Sequence, residues 1–119
     1  MLYQSERDFE VLQFALTEPS RLIVRSPRDE DHDTRIDIEF RELGFVSLRT
    51  RYTGLHIRAA TRVELEVITT KYGVEFDIGR VFFLSAGLTD FVSSARPVWI
   101  EDGGYFRDPT QFGPFPSRV

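Results

Sequence analysis

Between Thr34 and Leu84 apolar and polar residues alternate with a period of two through successive short runs. In Ile36-Asp37-Ile38-Glu39-Phe40 the even positions are apolar and the odd ones charged, so an extended chain puts Ile36, Ile38 and Phe40 on one face. The alternation returns in Val46 to Tyr52, Leu55 to Ala59, Val63 to Val67 and Val74 to Ile78. Five such runs predict an antiparallel meander with one solvated face. Glu42-Leu43-Gly44, Thr53-Gly54 and Thr70-Lys71-Tyr72-Gly73 each offer a glycine where a hairpin needs positive φ. A hairpin closed over Gly44 sets Phe40 opposite Val46, Ile38 opposite Leu48 and Asp37 opposite Arg49. One closed over Thr70 to Gly73 sets Leu65 opposite Ile78, Val67 opposite Phe76, and the carboxylates of Glu66 and Asp77 face to face.

The flanks extend the same architecture. Residues 9–16 fit two templates: a helix begun at Ser5 with Phe9, Leu12 and Leu16 on one face, or a strand in which Leu12, Phe14 and Leu16 alternate. The following Arg21-Leu22-Ile23-Val24-Arg25 is rich in β-formers, and Thr17-Glu18-Pro19-Ser20 makes a four-residue turn, so the strand reading gives a coherent hairpin. Val81-Phe82-Phe83-Leu84 is apolar on both sides, as in a strand covered on both faces, with Gly79 as a bulge before it. One helical turn is expected in 88–95, begun by Thr89 and ended before Arg96-Pro97, and Val98-Trp99-Ile100 is the last strand. From Glu101 onward glycine and proline interrupt regular structure while Tyr105, Phe106, Phe112 and Phe115 keep the segment apolar, so this tail either folds back over an open sheet face or offers aromatic anchors to a partner. The expected fold is all-β, or β-rich α+β. It is an antiparallel β-sandwich or partly open barrel spanning 9–100, with one short helix and a tail at 101–119, in a single domain.

Composition narrows the function. The 119 residues contain no cysteine, which excludes disulfides, thiolate catalysis and cysteine-ligated metals. No stretch reaches the roughly 18 to 20 apolar residues of a membrane span, and the N-terminus lacks a signal peptide's features, so a cytoplasmic protein is expected. The net charge of −4 argues against nucleic acid and for a basic partner. Fourteen of the fifteen basic residues are arginine, a bias that reads as the imprint of a GC-rich bacterial genome.

Candidate chemistry is sparse. There is no Gly-x-Ser-x-Gly elbow and no phosphate-cradling glycine loop, and the two histidines, His32 and His56, read as a loop residue and a surface residue. Asp29-x-Asp31-x-Asp33 opens like a calcium loop, but Thr34 stands where that loop needs glycine and Phe40 where it needs glutamate. No metal, cofactor or enzymatic activity is expected. Asp29, Glu30, Asp31 and Asp33 instead form an electronegative patch suited to a basic surface, with Tyr105, Phe106 and Phe112 as anchors. The competing readings are a small-ligand or hydrolytic site on Glu66 and Asp77, and a structural subunit that forms homodimers through its tail.

Glu10-Val11-Leu12-Gln13-Phe14, Arg21-Leu22-Ile23-Val24, Ile38-Glu39-Phe40 and the following meander resemble the small all-β immunity proteins of bacterial polymorphic toxin systems. Where that class often carries a histidine–aspartate pair near the first strand, this chain has Arg7-Asp8. The resemblance implies a non-enzymatic inhibitor that occludes the active site of a cognate toxin, most simply a basic toxin domain.

Overall fold

Residues 1–105 and 108–113 are described by a computed structural model. Their elements are β1 (Tyr3–Ala15), β2 (Arg21–Ser26), β3 (Arg35–Arg41), β4 (Phe45–Ser47), β5 (Arg51–Ala59), α1 (Arg62–Tyr72), β6 (Val81–Phe83), β7 (Phe91–Ser93) and β8 (Val98–Asp102). The strands form one antiparallel sheet in the order β4-β7-β6-β5-β1-β2-β3-β8. Residues 42–44 alone connect β3, seventh in that order, to β4, which is first. Four Cα steps reach about 14 Å, whereas six inter-strand spacings in a flat sheet cover about 29 Å. The sheet must therefore curl. The rings of Tyr3 on β1 and Trp99 on β8, 5.0 Å apart, and the Arg7–Glu101 ion pair at 3.9 Å span the same curl on the other side. Edges β4 and β8 stay unpaired with each other, which leaves a partly open barrel or sandwich.

β1 and β2 form the expected hairpin, with Ala15 opposite Arg21 and Phe14 opposite Leu22. β1 is longer than expected, because its N-terminal half pairs with β5 instead of β2. Gly54 makes no hairpin. It lies inside β5 at φ +79, where Glu6 and Arg7 of β1 together oppose it between the pairs Ser5–Leu55 and Asp8–Thr53. The first expected hairpin is also replaced: β3 pairs with β2 and β8, and β4 with β7, so Phe40 lies opposite Leu22 and Val46 opposite Val92.

The run 63–67 is helix, not strand. Thr61 caps it, its hydroxyl accepting from the Glu64 amide while Glu64 accepts from the Thr61 amide, and Gly73 ends it at φ +67. The apolar residues that matter are Leu65 and Ile68, both buried and three apart, while Val63 and Val67 face solvent. With 63–67 helical, 74–78 has no strand to pair with. It runs on without sheet bonds, Gly79 forms a turn at φ +82, and Phe76 packs on Phe91 at 5.6 Å. The helical turn expected in 88–95 is likewise absent: that segment contains β7, and the helix of the fold lies at 62–72.

β6 is covered on both faces as expected and divides two cores. Phe82 and Leu84 join Phe9, Leu22, Val24, Ile38, Phe40, Tyr52, Leu55 and Ile57 inside the curl. Val81 and Phe83 turn to α1, where Leu65, Ile68 and Phe91 close a second core edged by Phe45, Tyr72 and Phe76. Full burial of each large side chain stabilises by about 1.5–3 kcal/mol. That suffices to hold α1 in place.

The expectation of one wet face fails at β2 and β3. Arg21, Arg25, Arg35, Asp37 and Glu39 are all buried on the face turned away from the first core. Each is paired: Arg25 grips Asp37 with two bonds of 2.6 and 2.8 Å, Arg21 and Arg41 reach Glu39 at 3.4 and 2.5 Å, and Arg35 meets Asp102 at 2.6 Å. Such burial is tolerable because each charge keeps an opposite neighbour; the Arg25–Asp37 and Arg35–Asp102 pairs are hydrogen-bonded, whereas Arg21 Nε and Glu39 Oε2 meet as an ion pair without a hydrogen bond between them. The described part of the tail folds back onto this polar face and not onto an apolar one.

Candidate functional site

The loop from Pro27 to Thr34 joins β2 to β3, and its stem is pinched by one side chain. Arg7, thrown inward at the β1 bulge, donates to Ser26 Oγ and Thr34 Oγ1 at 3.1 Å each, to Pro27 O at 3.4 Å, and to Thr34 O. Thr34 Oγ1 in turn donates to Glu101 at 2.6 Å, which adds β8 to the clamp. Within the loop the Asp29 and His32 main chains bond to each other, and Asp29 Oδ1 accepts from the Asp31 amide and meets His32 Nδ1, each at 2.9 Å. Desolvation is the largest single influence on Asp29 and opposes its ionisation, but the contacts with His32 and the Asp31 amide together outweigh it and hold the carboxyl below its ordinary range. Among the described residues Glu30, Asp31 and Asp33 have no ion pair, so the loop presents their charge outward from a fixed base.

Arg28 connects this loop to the tail. Its Nη1 donates to Gly103 O at 2.8 Å and its guanidinium lies 4.4 Å over the Tyr105 ring, which is 65% exposed. Arg35 binds Tyr105 O and Asp108 O from below at 3.2 and 2.7 Å, and the Tyr105 amide donates to Asp108 at 2.8 Å. The hydrogen bond from Arg35 holds the Asp102 carboxyl below its ordinary range; burial opposes and the Gly104 amide assists. The structure thus brings Asp29, Glu30, Asp31, Asp33 and Tyr105 to one surface. Phe112 does not join them: half-buried, it lines a separate groove with Glu39, Arg41 and Val98. Phe106 and Phe115 lie outside the described residues.

Glu66 and Asp77 are not facing strand residues. Glu66 sits on α1 and Asp77 on the segment after it, and both line a groove of about 300 Å3 with Arg62, Leu65, Phe76 and Ile78. Among the described residues neither carboxylate makes a side-chain hydrogen bond or ion pair. His56 is exposed on β5, as expected of a surface residue. Among the described residues no group of three or more histidine, aspartate or glutamate side chains is set to hold a metal. Among them, too, no helix is long and apolar enough to cross a membrane.

Sequence reasoning missed Arg7 and Arg28, whose roles depend on the bulge and on the return of the tail. It also missed a cleft of about 520 Å3 where β1 meets β5, lined by Asp8, Glu10, Arg49, Arg51, Tyr52 and Leu84 among others. There Arg49 bonds Asp90 at 2.9 Å and lies 4.9 Å over Tyr52, while Arg51 approaches Glu10 at 3.8 Å. Burial is the main cause that pushes the Tyr52 hydroxyl up to about 12. Two acids, Asp8 and Glu10, and two arginines, Arg49 and Arg51, line the cleft together.

No known protein family, curated protein or solved structure matches the chain.

Proposed function

We propose that this protein is a non-enzymatic binding module that docks a basic protein surface through the 29–33 loop and Tyr105, in the manner of an immunity protein occluding a toxin. The observation that carries the reading is the Arg28 bridge, which fixes a carboxylate patch and an exposed aromatic ring side by side. Preorganisation matters here. A loop already clamped by Arg7 and closed by Asp29 loses little conformational freedom on binding, and unneutralised Glu30, Asp31 and Asp33 steer a cationic partner while Tyr105 supplies apolar contact.

The test is co-expression of the tagged protein with the product of the adjacent open reading frame, scoring complex formation and growth. A tight complex that restores growth is expected. Replacing Asp29, Glu30, Asp31 and Asp33 by alanine should then slow association about ten-fold or more at low salt and flatten its ionic-strength dependence. A neighbouring product that neither binds nor harms the cell overturns the reading, and unchanged kinetics in the alanine variant remove the loop from it.

A further inference from the structure

The cleft where β1 meets β5 carries opposite charges on facing strands. Register sets Asp8 opposite Thr53 and Glu10 opposite Arg51, so Asp8 and Glu10 leave β1 on the same face as Arg51 and Thr53 leave β5. Arg49 reaches the cleft from just before β5, and Phe9, Tyr52 and Leu84 of the first core give it an apolar wall. The charges are only partly satisfied. Arg51 Nε stops 3.8 Å from Glu10, beyond hydrogen-bond reach, on a side chain 83% exposed. Arg49 is anchored through Nε to Asp90 at 2.9 Å and lies 4.9 Å over the Tyr52 ring, which leaves its two Nη groups without a hydrogen bond among the described residues. Among them, too, Asp8 makes no side-chain hydrogen bond or ion pair. A pair as exposed and as loosely met as Arg51 and Glu10 contributes little to the fold, so a ligand parts it at small cost.

We propose that this cleft binds a small zwitterion of the amino-acid and short-peptide class. Arg51 and the Nη groups of Arg49 take its carboxylate, and Asp8, with Glu10 beside it, takes its ammonium. A guanidinium meets a carboxylate through parallel bonds, which fixes that end of the ligand in direction as well as in charge. A ligand with one charge fits only half of the lining: a plain anion meets Asp8 and Glu10, and a plain cation meets the two arginines. An apolar side chain between the two charged ends rests against Phe9 and Leu84. The volume of about 520 Å3 lies within the range of small-molecule sites, about 300–1,000 Å3. The inference stands on this cleft and does not need the partner proposed above.

Calorimetric titration of the full chain with leucine and with leucyl-leucine tests it. Saturable binding of at least one is expected, and the tighter of the two shows whether the free amino acid or the peptide is the natural class. N-acetylated and C-amidated forms of that ligand, each lacking one charge, should bind about ten-fold or more weakly. Arg51→Gln should narrow the gap between the parent and its amide, and Asp8→Asn the gap between the parent and its acetylated form. Both side chains are exposed, so both variants should keep the wild-type melting temperature, which separates loss of the site from loss of the fold. Blocked forms that bind as tightly as the parent, or variants that discriminate as the wild type does, overturn the assignment of the two charged walls. Absence of binding heat from both zwitterions at millimolar concentration overturns the site itself.

Discussion

Asp37→Asn is the sharpest test of how the sheet is held together. Arg25 and Asp37 are 1% and 3% exposed, and the carboxylate accepts two guanidinium bonds of 2.6 and 2.8 Å. Two charge-assisted bonds at about 1.5–3 kcal/mol each come to about 3–6 kcal/mol, and stripping one partner from a buried pair costs about 3–5 kcal/mol. The estimates agree. A chain of this length has a total stability on the order of 6–18 kcal/mol, so the variant should lose a large fraction of it and melt on the order of 10–25 °C lower. Urea unfolding followed by Trp99 fluorescence and far-ultraviolet circular dichroism would measure the loss, since Trp99 rests on Tyr3 across the curl. The double variant Arg25→Met with Asp37→Leu removes both charges. Apolar replacement of a whole buried pair is commonly neutral or stabilising, so it should recover most of the loss. A single variant costing under about 1 kcal/mol, or a double variant weaker than the single, would refute the account of a costly charge kept only for its partner.

Two further outcomes concern the ends of the pH range and the joints they stabilise. Glu64 is held down to about 2, chiefly by its bond from Arg58 at 2.7 Å, with burial opposing and the Thr61 amide assisting. Its folded pKa lies below the ordinary 4.5, so its contribution is complete above that value and lost as pH falls toward 2; Glu64→Gln should flatten this acid limb of a thermal-melt profile, and Thr61→Ala should cost about 1 kcal/mol at neutral pH. Burial pushes Tyr52 up to about 12 from an ordinary 10, so its contribution is complete below pH 10 and lost as pH rises toward 12. Asp90→Asn removes a neighbour that adds to the shift, so the Tyr52 phenolate transition should move to lower pH in an ultraviolet titration.

The parts of the fold that were legible were those decided by local chemistry. A turn with proline between two β-rich runs specified the β1–β2 hairpin, and a run apolar on both sides specified the covered strand β6. The run at 63–67 was read wrongly because Val63, Leu65 and Val67 satisfy a period of two, while the signals for helix lie outside those five residues. Thr61 with Glu64 three places on is a capping box, and Leu65, Ile68 and Tyr72 continue a helical face. Gly54 illustrates a different failure. Its positive φ was foreseen, but a hairpin and a bulge both use that conformation, and the choice depends on which strand lies opposite.

Alternation along β3 had a third ambiguity, and it bears on the site. A period of two shows that the faces differ; it does not show that the charged one is wet. Whether Asp37 and Glu39 meet water or arginine depends on which strands flank β3, which only the topology decides. The arginine excess was nevertheless a legible clue. Ammonium groups cannot make the planar two-bonded contacts seen at Asp37 and Asp102, nor give one side chain the five donors with which Arg35 holds a carboxylate and three carbonyls at once. At least eight of the fourteen arginines enter ion pairs among the described residues. Arg28 binds the tail through a carbonyl and a ring. A fold that buries its charged strands and clamps its loop and tail by guanidinium groups needs arginine at those positions. The bias that composition alone assigns to a genome therefore has a structural reason, and Glu30, Asp31 and Asp33 are among the carboxylates left outside the ion pairs of the described residues.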